Sequence, residues 1–251
     1  GCDKTLPAQL MGAVSAALPF VYLAVGPMMT GRYQGERMGA CTDCRRFWGQ
    51  YRSEAISKSE IDTVEGTLAV TAGTCAVMGT ASTMACIAET LGVSLPGTAA
   101  IPAVHADRLR AAEASGKRAV ELIGSGLTPD KIITPGAVEN ALRVLLAVGG
   151  STNAIVHLTA ISGRLGIEIS LAHLNELSDT TPVLVDLKPT GENYMEDLFA
   201  AGGVGAILRE LRPVLDMDTR SVAGETLGER LAADAGYVNP TIVRPFAEPF
   251  Q

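Results

Sequence analysis

Two long stretches of this chain carry no charge. Leu10 to Thr30 is one, and Gly66 to Ala88 is the other. Each is long enough to cross a bilayer, for which about 20 apolar residues suffice. Pro19, Gly26 and Pro27 interrupt the first, however, and Thr67, Thr71, Thr74, Thr80, Ser82 and Thr83 dilute the second. Neither has Trp or Tyr belts with basic flanks at both ends. They read instead as buried helix–strand segments of an α/β protein, not as membrane spans.

Such stretches need a core to enter. Of 251 residues, 47% are apolar, 19% charged and only 4% aromatic. This excludes global disorder and predicts a core of Ala, Val, Leu, Ile and Gly. The 27 glycines show no triplet period, which excludes a collagen-like chain. The net charge is −7 and the basic residues are scattered, so no nucleic-acid footprint is present. Five cysteines, an odd number without the dense spacing of a secreted scaffold, point to a reducing, cytoplasmic compartment. The chain begins at Gly1 with no signal-peptide pattern, which suggests processing or a piece of something longer.

Along the chain, Pro7 suits a first helical turn and Ala8 to Leu18 a helix. Phe20 to Val25 reads as a buried strand, and Gly26 to Gly49 as a long functional loop leading into a helix. Ser57 to Leu91 reads as helical with a break around Gly73 to Gly79, where backbone can approach a ligand. Helices are predicted at Arg108 to Ile123, Pro135 to Val148, Ala154 to Leu165 and Val204 to Leu211, and a further turn at Thr128 to Asp130. Strands are predicted at Ile167 to Ser170 and Val183 to Asp186. No linker or repeat is evident, so residues 1–251 read as one mixed α/β domain.

Four places could carry chemistry. Cys2, Asp3 and Lys4 stand just before a helix start, where negative charge is favoured. Thiolate and carboxylate are soft and hard metal ligands respectively; the plainer alternative is Asp3 as a helix cap. Cys75 sits among small residues and hydroxyls from Ala72 to Met84, either as a ligand or as a buried thiol at a helix crossing. Cys41-Thr42-Asp43-Cys44 has C-x-x-C spacing but no second ligand pair for zinc, and His105, His157 and His173 are isolated. Arg32, Arg37, Arg45 and Arg46 nearby form either an anion-binding loop or a solvated one. Gly149-Gly150-Ser151-Thr152-Asn153 resembles a phosphate-cradling turn without the P-loop Lys, and equally a capped helix break. His157 would share a helix face with Asn153.

Together these segments resemble a family. Cys2 to Gly12 is similar to the signature C-D-K-x-x-P-[GA]-x-x-x-[GA] of the dihydroxyacid dehydratase / phosphogluconate dehydratase family. The resemblance continues through Cys75 to Met84, Gly149 to Leu158, and Pro189-Thr190-Gly191 to Gly202-Gly203-Val204. Within the family, Gly39 to Arg45 and Cys75 to Ser82 look most like the sugar-acid (aldonate) dehydratases.

The resemblance implies the family's N-terminal three-layer α/β domain, lacking its first part and the C-terminal β-barrel domain. It implies an iron–sulfur cluster on three Cys, two of them matched by Cys2 and Cys75, with 2Fe-2S preferred to 4Fe-4S. It implies Mg2+ near the cluster, with Asp3 a matching ligand and Lys4 matching a catalytic lysine that is carbamylated in the family. Cys41 and Cys44 match family sequence but not cluster ligands. The implied reaction removes water from a 2,3-dihydroxy sugar acid to give a 2-keto-3-deoxy acid, in a homo-oligomer (dimer or tetramer) with no nucleic-acid or membrane partner. The alternatives are a branched-chain dihydroxyacid dehydratase, and an inactive fragment with a scaffold role only.

Overall fold

The computed structural model describes residues 3–233 and 236–251, with the backbone alone at Ala40 and Cys41. The fold is mixed α/β and rich in helix. Its first helix, α1 (Thr5–Ala16), runs into irregular chain and then a hairpin of β1 (Gly31–Tyr33) and β2 (Glu36–Met38). Next come α2 (Ala40–Arg52), α3 (Lys58–Thr67), α4 (Thr80–Thr90) and α5 (Ala106–Glu121). A single turn, α6 (Pro129–Ile132), leads to α7 (Pro135–Ala147), α8 (Asn153–Gly163) and α9 (Leu171–Thr180). The chain ends with α10 (Met195–Ala200), α11 (Gly203–Glu210), a 3-10 turn at Arg212–Val214 and α12 (Leu227–Ala233).

The centre is α4. Every residue from Ser82 to Thr90 on it is buried, and α1, α7, α8 and α11 pack around it. Small side chains, Ala85, Ala88, Ser82 and Thr83 among them, let those helices approach closely. This accounts for the second uncharged stretch: a helix surrounded on all sides needs no polar face. No helix among the described residues is long and apolar enough to cross a membrane. Helix starts follow the usual chemistry. Thr134 accepts the Ala137 amide before Pro135 opens α7, and Ser57 with Glu60 forms a reciprocal cap on α3.

A second, smaller core holds aromatic residues. Met38, Phe47, Ile61 and Val64 are buried together where the hairpin meets α2 and α3. Tyr33 meets Phe47 edge-on at 5.6 Å. The segment from Gly26 to Gly49, read from sequence as loop before helix, thus contains a hairpin. Gln34 (φ 49°) and Gly35 (φ 87°) make its tight two-residue turn.

The predicted strands at Phe20 to Val25, Ile167 to Ser170 and Val183 to Asp186 do not form ladders. Leu184 and Val185 are buried, Phe20 to Leu23 are half-buried with Val25 exposed, and Ile167 to Ser170 alternates half-buried and exposed residues. The Tyr22 amide donates to the Val93 carbonyl, and Val185 makes one isolated antiparallel bridge to Val243. An apolar run by itself does not supply a partner strand.

Candidate active site

The start of α1, the Gly26 turn and the start of α4 surround one cavity of about 260 Å³. Thr5, Gln9, Tyr22, Gly26, Thr74 and Ser82 are among its lining. Two loops cross at its edge. The Thr74 amide donates to the Gly26 carbonyl at 2.9 Å, and the Met28 amide donates to the Thr74 carbonyl at 2.8 Å. Cys75 follows this crossing directly and is partly buried. Behind the turn lies Arg108, a buried arginine whose guanidinium donates to the Ala24 carbonyl at 2.7 Å and to the Ile101 carbonyl. Burial lowers its pKa, against the opposing charge of Glu89.

Asp3 does not cap α1. Lys4 occupies that position and no side chain caps the helix. Asp3 is instead paired with Lys4, Nζ to Oδ2 at 3.0 Å. This hydrogen bond holds the Asp3 carboxyl below its ordinary value against a smaller effect of burial, and the Lys4 and His157 charges act in the same direction. Lys4 is 80% exposed.

α8 joins the other candidates. It packs along α1 in parallel, with Arg164 at its far end donating to Ser15 Oγ at 2.5 Å. At its near end Asn153 donates to Thr80 Oγ1 at 3.2 Å, and Ser151 Oγ lies 2.8 Å from the same hydroxyl. The Ser151 amide donates to Thr83 Oγ1. Gly150 is packed so tightly that a Cβ there would come 2.7 Å from Thr83 Cγ2. The Gly149–Asn153 turn therefore docks α8 on α4, with the Ser151 hydroxyl bonded across that junction and Thr152 exposed. His157 lies one turn along, its Nε2 buried with no hydrogen-bond partner among the described residues.

The C-x-x-C motif resolves differently. β2 precedes it and it forms the first turn of α2, but the residue of consequence is Asp43, only 2% exposed. Cys44 packs against the aromatic core, and the Cys41 side chain lies outside the described residues. Of the four arginines nearby, two are engaged by carboxylates, while Arg32 donates to the Gly35 carbonyl at 3.3 Å and Arg45 is exposed. Arg37 pairs with Glu196 at 3.0 Å and Asp197 at 2.7 Å, while Arg46 pairs with Glu36 at 2.7 Å.

Among the described residues, no three His, Cys, Asp or Glu side chains are grouped to hold a metal ion. The donors present are a soft thiol at Cys75 and a hard carboxylate at Asp3. They suit iron and magnesium in kind and fall short in number. Cys2, the other expected thiol, lies outside the described residues. Sequence reasoning missed Thr5, Gln9 and Tyr22 as cavity-lining groups, since only the folded chain brings them to Thr74 and Ser82.

Comparison with known proteins decides the family. Residues 1–230 match the family described as dihydroxy-acid/6-phosphogluconate dehydratase, N-terminal. The chain belongs to this family. A dihydroxy-acid dehydratase of Methanococcoides burtonii is 44% identical over 92% of this chain and 41% of its own length. One from Caldicellulosiruptor bescii is 39% identical over 99% of this chain and 45% of its own. One from Desulfosudis oleivorans is 40% identical over 97% and 45%. The chain thus spans less than half the length of these relatives. Their names do not support the sugar-acid branch to which Cys75–Ser82 points.

Proposed function

We propose that this chain forms the cluster-binding part of a hydro-lyase that removes water from a 2,3-dihydroxy acid and leaves a 2-keto acid. The observation that carries this reading is a cavity whose wall includes the sequence neighbours of Lys4 and Cys75, though not Asp3, Lys4 or Cys75 themselves. Thr5, next to Lys4, and Thr74, next to Cys75, line the same space. On this reading Cys2 and Cys75 are cluster ligands, and Asp3 and Lys4 serve Mg2+. When bound, iron supplies Lewis acidity at the leaving hydroxyl, and magnesium supplies it at the carboxylate and C2 hydroxyl.

The chain's own residues bind and orient. As an ammonium, Lys4 holds the Asp3 carboxyl below its ordinary value. Carbamylation of the exposed Lys4 amine would replace that ammonium with a carboxylate donor, and the Asp3 charge would then be compensated by bound Mg2+. Thr5, Thr74, Ser82 and Gln9 bring hydroxyl and amide groups to the wall. The first turn of α4, from which Ala81 and Ser82 line the cavity, adds the positive end of a helix dipole. An anionic substrate needs such local compensation on a chain of net charge −7.

The relatives' names favour a branched-chain dihydroxy acid as substrate, whereas the Cys75–Ser82 segment favours a sugar acid. The same reading expects a homo-oligomer in the cytoplasm. A panel of 2,3-dihydroxyisovalerate, pentonates and hexonates, assayed for 2-keto acid, tests it in the protein that carries this chain. Turnover of dihydroxyisovalerate is the expected result, and turnover of sugar acids alone would move the protein to the other branch. No turnover by cluster-loaded protein would overturn the hydro-lyase assignment.

A further inference from the structure

The buried Asp43 plays no part in the cavity, yet it is bonded on every side. Its Oδ2 accepts the Gly39 amide at 2.8 Å and lies 2.9 Å from the Tyr194 hydroxyl. Its Oδ1 accepts from Lys188 Nζ at 3.3 Å and Arg46 at 3.4 Å. Lys188 also donates to the Tyr194 hydroxyl at 2.7 Å. The Tyr194 ring is clasped by Arg37, whose guanidinium carbon lies 4.8 Å from the ring centroid, and Gly39 is close enough that a Cβ would come 2.6 Å from Cε1.

This assembly grips the chain just after Cys75. Tyr194 is buried against Ala76 and Val77, with Cys75 and Met28 packed beside them. The Met78 amide donates to the Lys188 carbonyl and the Met195 amide to the Ala76 carbonyl, both at 2.8 Å. The Ala76–Met78 segment is therefore held at one end by the Lys188 backbone itself and at the other by Met195, next to Tyr194. A buried ion pair is weak evidence for stability, and in some proteins it serves to fix one conformation instead.

We propose that Asp43, Tyr194 and Lys188 are positioning residues that hold Ala76–Met78, and through it the Cys75 sulfur, in the geometry a cluster ligand requires. The proposal rests on reading Cys75 as that ligand. It also gives the C-x-x-C segment a role that needs neither of its thiols.

Tyr194→Phe keeps the ring and removes the hydroxyl, and Asp43→Asn keeps the size and removes the charge. Amide hydrogen exchange in unloaded protein is the first readout. We expect exchange at Met78 and Met195 to quicken by at least about tenfold in either variant, with Leu91 at the end of α4 unchanged. The second readout is the reduction potential and air-bleaching rate of the cluster-loaded protein, both expected to shift. Unchanged exchange at Met78 and Met195, or equal acceleration at Leu91, would overturn the clamp. Faster exchange with an unaltered cluster would overturn the positioning role. Wild-type protein that takes up no iron would overturn the ligand reading instead, and exchange on the unloaded protein would still decide the clamp.

Discussion

Thr74 and Gly26 are joined backbone to backbone, amide to carbonyl at 2.9 Å, and this contact sets where Cys75 begins. It requires two glycines in left-handed conformations. Gly26 has φ +92°, and a Cβ there would come 2.3 Å from the Ile101 carbonyl oxygen. Gly73 has φ +138°, and a Cβ would come 2.4 Å from the Met28 amide nitrogen. Backbone strain and overlap act together, so Gly26→Ala and Gly73→Ala should each destabilise the protein by about 3 kcal/mol. Urea unfolding checks this; a loss below about 0.5 kcal/mol would show that the crossing can relax.

The thiols should differ sharply in reactivity. Cys86 is fully buried in α4, and burial, with Glu89 nearby, pushes its pKa up to about 12. Cys75 is only partly buried. Iodoacetamide at mildly alkaline pH should modify Cys75 in native, metal-free protein and leave Cys86 intact until denaturant is added. Peptide mass mapping reads the outcome, and equal rates at the two residues would contradict the burial of α4.

Glu89 carries the only carboxylate of α4, and its side chain is wholly buried. It accepts the Gly97 amide at 2.8 Å, the Ala99 amide at 2.9 Å and Arg230 at 2.9 Å, tying α12 to the central helix. Arg230→Met leaves that charge without its directly bonded counterion, with the Arg108 charge nearby, and should lower stability by about 3 kcal/mol. Adding Glu89→Gln should recover part of the loss. A double variant no more stable than the single would place the effect in packing of the arginine stem.

Acid should loosen the Asp43 assembly. Burial raises the carboxyl's pKa, but the Gly39 amide, the Tyr194 hydroxyl and the Lys188 ammonium outweigh it, so the group sits below its ordinary 3.8. The unfolded chain then binds this proton more readily than the folded one. The stabilisation is complete above the unfolded value and is lost as pH falls through the folded value. Unfolding free energy measured from about pH 5 to about pH 3 should fall less steeply in Asp43→Asn than in wild type. Identical slopes would contradict it.

The long helices were legible because their signals are local. Arg108 to Ile123 anticipates α5 and Pro135 to Val148 anticipates α7 nearly residue for residue, since caps and periodicity lie within each segment. α9, α10 and α12 went unread, and the last two are too short for a period to emerge. The β1–β2 hairpin hid behind its charges, although Gln34-Gly35 between alternating residues is a turn signal. Cys75 and the Asp3–Lys4 pair were readable as motifs. Asp43 was not, because its partners Lys188 and Tyr194 lie 145 and 151 residues away, and two cysteines flanking it drew attention to sulfur.

The central claim is that Cys75 holds a cluster while Cys41 and Cys44 do not. Visible absorbance of iron- and sulfide-loaded protein, compared across Cys75→Ser, Cys41→Ser and Cys44→Ser, tests it most directly. The account predicts that the chromophore disappears in Cys75→Ser and survives in the other two. A chromophore retained in Cys75→Ser, or lost in Cys41→Ser or Cys44→Ser, would contradict it.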